Sequence, residues 1–200
     1  MINPELPSIC LIVSSKEIPE KLEIALKAGI KWIQYREKEL PRKEILKYAF
    51  WVKEITKHYN ALLTINDYLD IAIAIKADGI HLGQDDLPIE VAKKFFSGII
   101  GISTHNLEEA LDAQKKGAHY IGYGPIFYTT TKKDALEPKG YDMLSLICKK
   151  IKVPVVAIGG IKKQHLKDLK AMGCKYVATA SGILVGDVKS NVKDFLELFQ

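Results

Sequence analysis

The chain has 200 residues, 48% of them apolar, and a formal net charge of +5. This is enough to bury one substantial core, and no Ser/Gly-rich linker or shift in composition marks a second domain, so we expect a single domain over residues 1–200. The charge comes from lysines scattered through predicted helices rather than from a basic block. That distribution argues against nucleic acid as a partner and weakly favours small anionic molecules.

Cysteine spacing and hydropathy indicate the cellular compartment of the protein. Cys10, Cys148 and Cys174 lie far apart and form neither a CxxC pair nor a zinc-binding spacing, which is typical of a reduced, intracellular protein. No basic and apolar leader follows Met1, and no run approaches the roughly 18 apolar residues of a membrane span. We therefore expect a cytoplasmic protein without a membrane partner. Its oligomeric state is left open, a homo-oligomer included.

Short runs rich in branched residues alternate with stretches of helical period along the whole chain. The strand candidates cover residues 8–13, 31–35, 61–65, 78–82, 99–103, 119–123, 153–158 and 175–180. The clearest helix covers residues 41–59, and the other helices begin near residues 20, 69, 88, 107, 142, 164 and 191. Gly29, Gly117 and Gly173 stand between a helix and a strand, as left-handed helix caps do. Eight such units predict an α/β fold, the (β/α)8 TIM barrel; an open doubly wound sheet usually has fewer strands at this length.

A parallel barrel gathers the carboxyl ends of its strands at one rim, so polar residues at those ends are expected to meet. At the end of the second strand, alternation turns Gln34, Arg36 and Lys38 to one side, and Tyr35 and Glu37 to the other. Two cations and an amide at the barrel mouth favour an anionic, phosphorylated ligand. An internal ion pair with a neighbouring carboxylate is the alternative.

Carboxylates follow the third and fourth strands. Asn66 and Asp67 close the third strand and Asp86 follows the fourth, so two carboxylates could share a Mg²⁺ ion that completes its shell with water and substrate phosphate. Ordinary turn chemistry at Asn66 and Asp67, and a helix start at Asp85 and Asp86, would explain the same residues without a metal.

Two later segments carry groups suited to phosphate. The loop after the sixth strand is long, which suggests a lid, and its Thr129, Thr131 and Lys132 could hold a polyphosphate; a merely exposed loop is the alternative. Gly160 ends the seventh strand and Ser181 the eighth, where many barrels bind a phosphate monoester.

The two histidines near the rim give weaker signals. His105 stands at a helix start, where a histidine is more often structural than catalytic, and His81 is expected in the core or at the rim. The sequence contains no nucleophilic triad, no P-loop and no GxGxxG motif that opens a helix.

Taken together, these features resemble the thiamine-phosphate synthase family over residues 8–185. Six motifs carry the resemblance in a fixed order: QYREK, IND, ADGIHLGQDDLP, GISTH, GPIFYTTTKK and VPVVAIGGI. The resemblance implies a transferase that joins hydroxymethylpyrimidine diphosphate to a thiazole phosphate and releases pyrophosphate, through a pyrimidine with carbocation character. Mg²⁺ is the implied cofactor, and small phosphorylated molecules are the implied substrates.

The resemblance also implies a role for each site residue. Arg36, Lys38 and Asn66 would hold the pyrimidine diphosphate, with Gln34 and Ser103 near its ring, and Asp67 and Asp86 would bind Mg²⁺. The implied pyrophosphate contacts are Thr129, Thr131 and Lys132, and the implied thiazole-phosphate contacts are Gly160, Ser181 and Gly140. The implied catalytic residues are Arg36, Lys38, Lys132 and Ser103.

Four residues depart from the family pattern, namely Tyr35, Tyr123, Tyr128 and Lys93, and they bear on substrate fit and lid closure. Two rivals remain. A tautomerase-like enzyme of the same fold would use His105 as a proton shuttle. A non-catalytic regulator would bind thiazole phosphate alone. Neither rival needs the metal and diphosphate residues, which therefore favour the synthase.

Overall fold

A computed structural model describes residues 5–129 and 137–199. Its eight strands are all parallel and close into a barrel in sequence order, so the predicted TIM barrel is confirmed. The strands are β1 Ile9–Val13, β2 Trp32–Tyr35, β3 Leu62–Asn66, β4 Gly79–Leu82, β5 Ile99–Thr104, β6 Tyr120–Tyr123, β7 Val155–Ile158 and β8 Tyr176–Thr179.

Helices follow the strands and cover the outside of the barrel. They are α1 Glu20–Lys27, α2 Arg42–His58, α3 Leu69–Ala74, α4 Ile89–Phe95, α5 Leu107–Lys115, α6 Gly140–Lys150, α7 Leu166–Ala171, α8 Ser181–Leu184 and α9 Val188–Phe199. Among the described residues, none of these helices is long and apolar enough to cross a bilayer. Gly29, Gly117 and Gly173 adopt the expected left-handed conformation, with φ of 117°, 86° and 87°.

The sequence prediction differs from the structure mainly after β7 and β8. The helix expected near residue 164 begins as a 3-10 turn, Lys163–His165, and continues as α7. The short helix α8 was not expected, because its four residues are too few to show a helical period. The final helix begins three residues before the expected Asn191.

Alternating strand residues build two packed layers. One set, including Leu11, Ile33 and Leu63, is completely buried between the barrel and its helices. The other set fills the barrel interior, where the rings of Trp32 and Tyr120 meet edge to face with centroids 5.1 Å apart. The barrel is therefore a packed core, and substrates have access only to its ends.

Glycines on the inner face make room for these rings. A Cβ atom added at Gly101 would overlap the ring of Tyr120, and one added at Gly122 would lie 3.0 Å from Cε1 of His81. The glycines on the inner faces of β5 and β6 thus leave space for large side chains from neighbouring strands. Because one of those side chains is His81, the same packing supports the rim at the carboxyl ends of the strands.

Candidate active site

Three charged side chains meet at the rim formed by the carboxyl ends of β2, β3 and β4. Asp67 follows β3, Asp86 lies after β4, and the carboxylate of Asp86 is near enough to raise the pKa of Asp67. The ammonium of Lys38, in the loop after β2, forms an ion pair with Asp67. Oδ2 of Asp86 accepts the backbone N–H of Gly83 at 2.6 Å. The structure thus brings together the two predicted metal ligands and one predicted diphosphate contact.

The backbone of Asp67 has a left-handed conformation, with φ of 64°. Non-glycine residues rarely adopt this conformation, and such strain tends to occur at functional sites. The N–H of Asp67 donates to the carbonyl of His81 on β4 at 2.8 Å, which extends the strand pairing by one residue. This bond fixes the carboxylate of Asp67 over the barrel mouth.

The surroundings of Asp67 suit a cation. Burial and then the carboxylate of Asp86 raise the pKa of Asp67 above its ordinary value, although Lys38 acts in the opposite direction. The buried Oδ2 of Asp67 lies against the ammonium of Lys38, so this oxygen already has a cation beside it. Within residues 5–129 and 137–199 no three His, Cys, Asp or Glu side chains cluster as a complete metal site. Two neighbouring carboxylates nevertheless fit Mg²⁺, which takes one or two protein carboxylates and keeps waters and substrate phosphate oxygens in its shell.

His81 links the barrel interior to the rim. Its Nδ1 lies 2.9 Å from the hydroxyl of Tyr120, and its Nε2 lies 2.8 Å from Oγ of Ser103. Burial lowers the pKa of His81 to about 4; Asp86 opposes this shift and Arg36 adds to it. A neutral imidazole therefore orients the Ser103 hydroxyl, a role that the sequence analysis did not assign. Strand alternation could have placed both residues on the inner face of the barrel. His81 stands two residues after the inward-facing Gly79, and Ser103 stands two residues after the inward-facing Gly101.

The buried state of His81 should make stability depend on pH. Between pH 6.5 and 4 the unfolded chain binds a proton at this histidine that the folded chain does not, so the free energy of unfolding falls as pH falls. From pH 7 to pH 5 this amounts to about 2 kcal/mol. Urea denaturation of the wild type and of His81→Gln at both pH values measures it. The wild type should lose about 2 kcal/mol more than the variant; equal losses would contradict a neutral buried His81.

The loop that carries Lys38 is anchored by Glu37. The buried Glu37 carboxylate accepts the backbone N–H groups of Lys38 and Glu39, each at 2.9 Å, and that of Ser15 at 3.1 Å. Burial alone would raise the pKa of Glu37, but these hydrogen bonds outweigh it and lower the pKa. β2 ends at Tyr35, so strand alternation does not extend to Glu37 and Lys38, and it did not reveal that the glutamate joins the loops after β1 and β2.

The remaining predicted pyrimidine contacts lie at different depths. Gln34 is buried in β2 within the barrel, and Asn66 is buried at the end of β3, opposite His81 in the strand register. Arg36 is partly exposed, and its backbone N–H donates to the carbonyl of Val13 at 2.9 Å. Asn66 and Arg36 thus lie at the rim, whereas Gln34 lies beneath it.

The tyrosines that depart from the family pattern occupy different surroundings. Tyr35 and Tyr123 are buried between the barrel and its helices. The Tyr35 hydroxyl lies 2.8 Å from Oγ of Ser15, and burial raises the pKa of this tyrosine to about 12. Tyr128 is 79% exposed, and Lys93 lies on the last turn of α4, where its ammonium donates to the carbonyl of Lys116. Tyr35 and Tyr123 therefore do not point into the barrel interior.

The segment after β6 packs over the end of β7. Phe127 donates its N–H to the carbonyl of Gly159 at 3.0 Å, and its ring stacks on His165 with centroids 3.8 Å apart. Thr129 is the last described residue of this segment. The predicted pyrophosphate contacts Thr131 and Lys132 lie outside the described residues, so their roles stay predictions.

Glycine is required where this segment crosses the end of β7. Gly160 has φ of 64°, and an added Cβ would lie 2.9 Å from Cβ of Phe127. Gly140 begins α6, and its N–H donates to the carbonyl of Ile126 at 3.3 Å. Ser181 begins α8 and is exposed. The three predicted thiazole-phosphate contacts thus follow β6, β7 and β8, the last three strands of the rim: Gly160 lies in a loop, and Gly140 and Ser181 begin helices.

His105 serves as part of a helix cap. Its Nδ1 and its backbone N–H both contact Oε2 of Glu109, at 3.0 and 2.8 Å. The neighbouring Asn106 caps α5 by accepting the N–H of Glu109. These contacts support the structural interpretation of His105 over a proton shuttle.

Comparison with known proteins agrees with this geometry. A family model described as thiamine monophosphate synthase matches residues 9–183. The thiamine-phosphate synthase of Clostridium novyi is 45% identical over 177 residues, covering 88% of this chain and 87% of that protein. The corresponding protein of Ruminiclostridium cellulolyticum is 40% identical over 191 residues, covering 94% of this chain and 90% of that protein.

A solved structure supports the same assignment. The thiamine phosphate pyrophosphorylase of Pyrococcus furiosus superposes with a TM-score of 0.86 at 34% identity, covering 96% of this chain and 95% of that one. Sequence similarity and fold therefore agree over almost the whole chain. The chain belongs to the thiamine monophosphate synthase family of enzymes.

Proposed function

We propose that this chain joins hydroxymethylpyrimidine diphosphate to a thiazole phosphate, giving thiamine phosphate and pyrophosphate in a Mg²⁺-assisted displacement. The observation that carries the proposal is the meeting of Asp67, Asp86 and Lys38 at one point of the rim, in a chain of this family. Two carboxylates and a cation are the groups needed to hold a metal diphosphate.

The proposed reaction breaks one bond and forms one. The bond between the pyrimidine methylene carbon and the diphosphate oxygen breaks, and its electron pair leaves with the diphosphate. The thiazole ring nitrogen then forms a bond to that carbon with its free lone pair. Because this nitrogen carries no proton, the reaction needs neither a general base nor a protein nucleophile. The absence of a catalytic triad from the sequence is consistent with this chemistry.

The main demand on the protein is to stabilise charge on the leaving group. Asp67 and Asp86 would hold Mg²⁺, which supplies Lewis-acid stabilisation of the diphosphate oxygens. Arg36, Lys38 and Lys132 would add positive charge, and the hydroxyls of Thr129 and Thr131 would donate hydrogen bonds.

Other residues would position the two rings. Ser103, whose hydroxyl is oriented by the neutral His81, and Asn66 would contact the pyrimidine, with Gln34 beneath them. Backbone groups at Gly160 and Gly140, together with Ser181, would bind the thiazole phosphate. The metal and diphosphate residues have no use in a regulator that binds only thiazole phosphate.

Pyrophosphate release tests this proposal directly. The full chain is incubated with Mg²⁺ and either or both substrates, and pyrophosphate is measured. Release that requires both substrates and is lost on adding a chelator supports the synthase. Absence of release, or isomerisation of a thiazole carboxylate phosphate instead, contradicts it.

The His105→Gln variant separates the synthase from the tautomerase-like rival. We expect pyrophosphate release to stay within about 3-fold of wild type, because a proton shuttle would contribute about 100-fold or more. The same preparation is assayed for unfolding, since losing the contacts to Glu109 weakens the cap of α5. A loss of about 100-fold in a folded variant would favour a proton-transfer role.

A further inference from the structure

The Lys38 ammonium lies on the carboxylate proposed to bind the metal. It contacts Oδ2 of Asp67, and the two side chains differ sharply in exposure: that of Lys38 is 48% exposed and that of Asp67 is 10% exposed. The lysine thus reaches from solvent onto a nearly buried carboxylate. Oδ2 of Asp67 is itself buried, so the ammonium lies against an oxygen that solvent does not reach.

Hydrogen bonds anchor the backbone of the loop that carries Lys38, whereas the lysine side chain extends into solvent and is 48% exposed. Three backbone N–H groups of Ser15, Lys38 and Glu39 converge on the buried carboxylate of Glu37. A lysine side chain has four flexible carbon–carbon bonds beyond such an anchor. The ammonium can therefore leave Asp67 without any movement of the backbone.

A cation stabilises this carboxylate pair whether or not a metal is present. Burial and Asp86 both raise the pKa of Asp67, and the ammonium of Lys38 offsets the cost of keeping the two carboxylates ionised close together. A divalent ion and an ammonium on one carboxylate oxygen repel each other. Binding of one at Oδ2 therefore weakens binding of the other.

We propose that Lys38 takes the place of the divalent ion at Asp67 in the substrate-free protein, and that the metal displaces it. The displaced ammonium is then free to meet the diphosphate that arrives with the metal. This inference rests on the metal site of the proposed function. It adds that Lys38 has two successive anionic partners, first Asp67 and then the diphosphate.

The test is Mn²⁺ binding to the full chain without substrates, measured from the electron paramagnetic resonance signal of free Mn²⁺. The Lys38→Met variant is expected to bind Mn²⁺ about 5-fold more tightly than wild type, because a competing ion pair is removed. The Lys38→Arg variant, which keeps a cation on the same anchored loop, should remain closer to wild type than to Lys38→Met.

Two further variants control for site and for general charge. Asp67→Asn should lose the binding, which locates the Mn²⁺. Arg42→Met removes a cation from the start of α2, where Arg42 pairs with the exposed Asp70, and should change affinity by less than about 2-fold. If Arg42→Met and Lys38→Met increase the affinity for Mn²⁺ equally, the affinity depends only on overall charge, and the proposal is overturned.

The remaining outcomes distinguish this inference from the proposed function. Equal Mn²⁺ affinity in wild type and Lys38→Met overturns the displacement but leaves the metal site standing. Absence of Mn²⁺ binding in every variant overturns both the metal site and the inference, while pyrophosphate release by the wild type still reports on the reaction. A crystal structure with Mn²⁺ alone should show Lys38 away from Asp67; Mn²⁺ and the ammonium on the same oxygen would overturn the inference.

Discussion

The Asp67→Asn variant is expected to release pyrophosphate at least about 100-fold more slowly than the wild type. The substitution removes the negative charge that would hold Mg²⁺ beside the leaving diphosphate, while keeping the shape of the side chain. Asparagine is the right replacement because Asp67 has φ of 64°, and asparagine tolerates the left-handed region better than alanine does. The variant should therefore fold, and the loss should lie in the chemistry.

Asp85 provides a matched control for this measurement. It is exposed and adjacent to Asp86, so Asp85→Asn removes one negative charge from the loop of Asp86 without touching the carboxylate pair. Its rate should stay within about 2-fold of wild type, as is usual for a surface substitution. Asp86→Asn should be slow like Asp67→Asn. If Asp67→Asn and Asp85→Asn release pyrophosphate at similar rates, these carboxylates do not hold the metal.

The parts of the site that could be predicted from sequence are those fixed by chain order. A parallel barrel brings successive strand ends to one rim, so locating the ends of β2, β3 and β4 was enough to place Lys38, Asp67 and Asp86 close together. Strand parity also turned Gln34 inwards and Tyr35 outwards, as the structure has them.

The features that sequence did not reveal depend on contacts across the barrel. Tyr120 on β6 reaches His81 on β4, passing over Gly101 on β5, and no pattern within one strand encodes that meeting. Glu37 contacts Ser15 in the neighbouring loop after β1, and that pairing also depends on a contact between strands that no single strand encodes. Periodicity shows which face a residue lies on, but closure of the barrel decides which residue it meets there.

The Gly101→Ala variant is expected to be destabilised by about 3 kcal/mol, the largest stability effect that we predict. The added Cβ would overlap the ring of Tyr120, which is buried against Trp32 and His81 and has little room to move. Urea denaturation at neutral pH measures the loss. The position should also affect activity, because moving Tyr120 disturbs His81 and, through it, Ser103.

A second glycine and a double variant show whether the ring is the cause. An added Cβ at Gly173 meets no atom within 4 Å, but φ is 87°, so Gly173→Ala should cost only about 1 kcal/mol of backbone strain.

Combining Gly101→Ala with Tyr120→Leu should cost less than the sum of the two single variants by about 1 kcal/mol or more, because the smaller side chain relieves the overlap. Strict additivity would mean that Gly101 matters for its backbone rather than for the space it leaves to Tyr120.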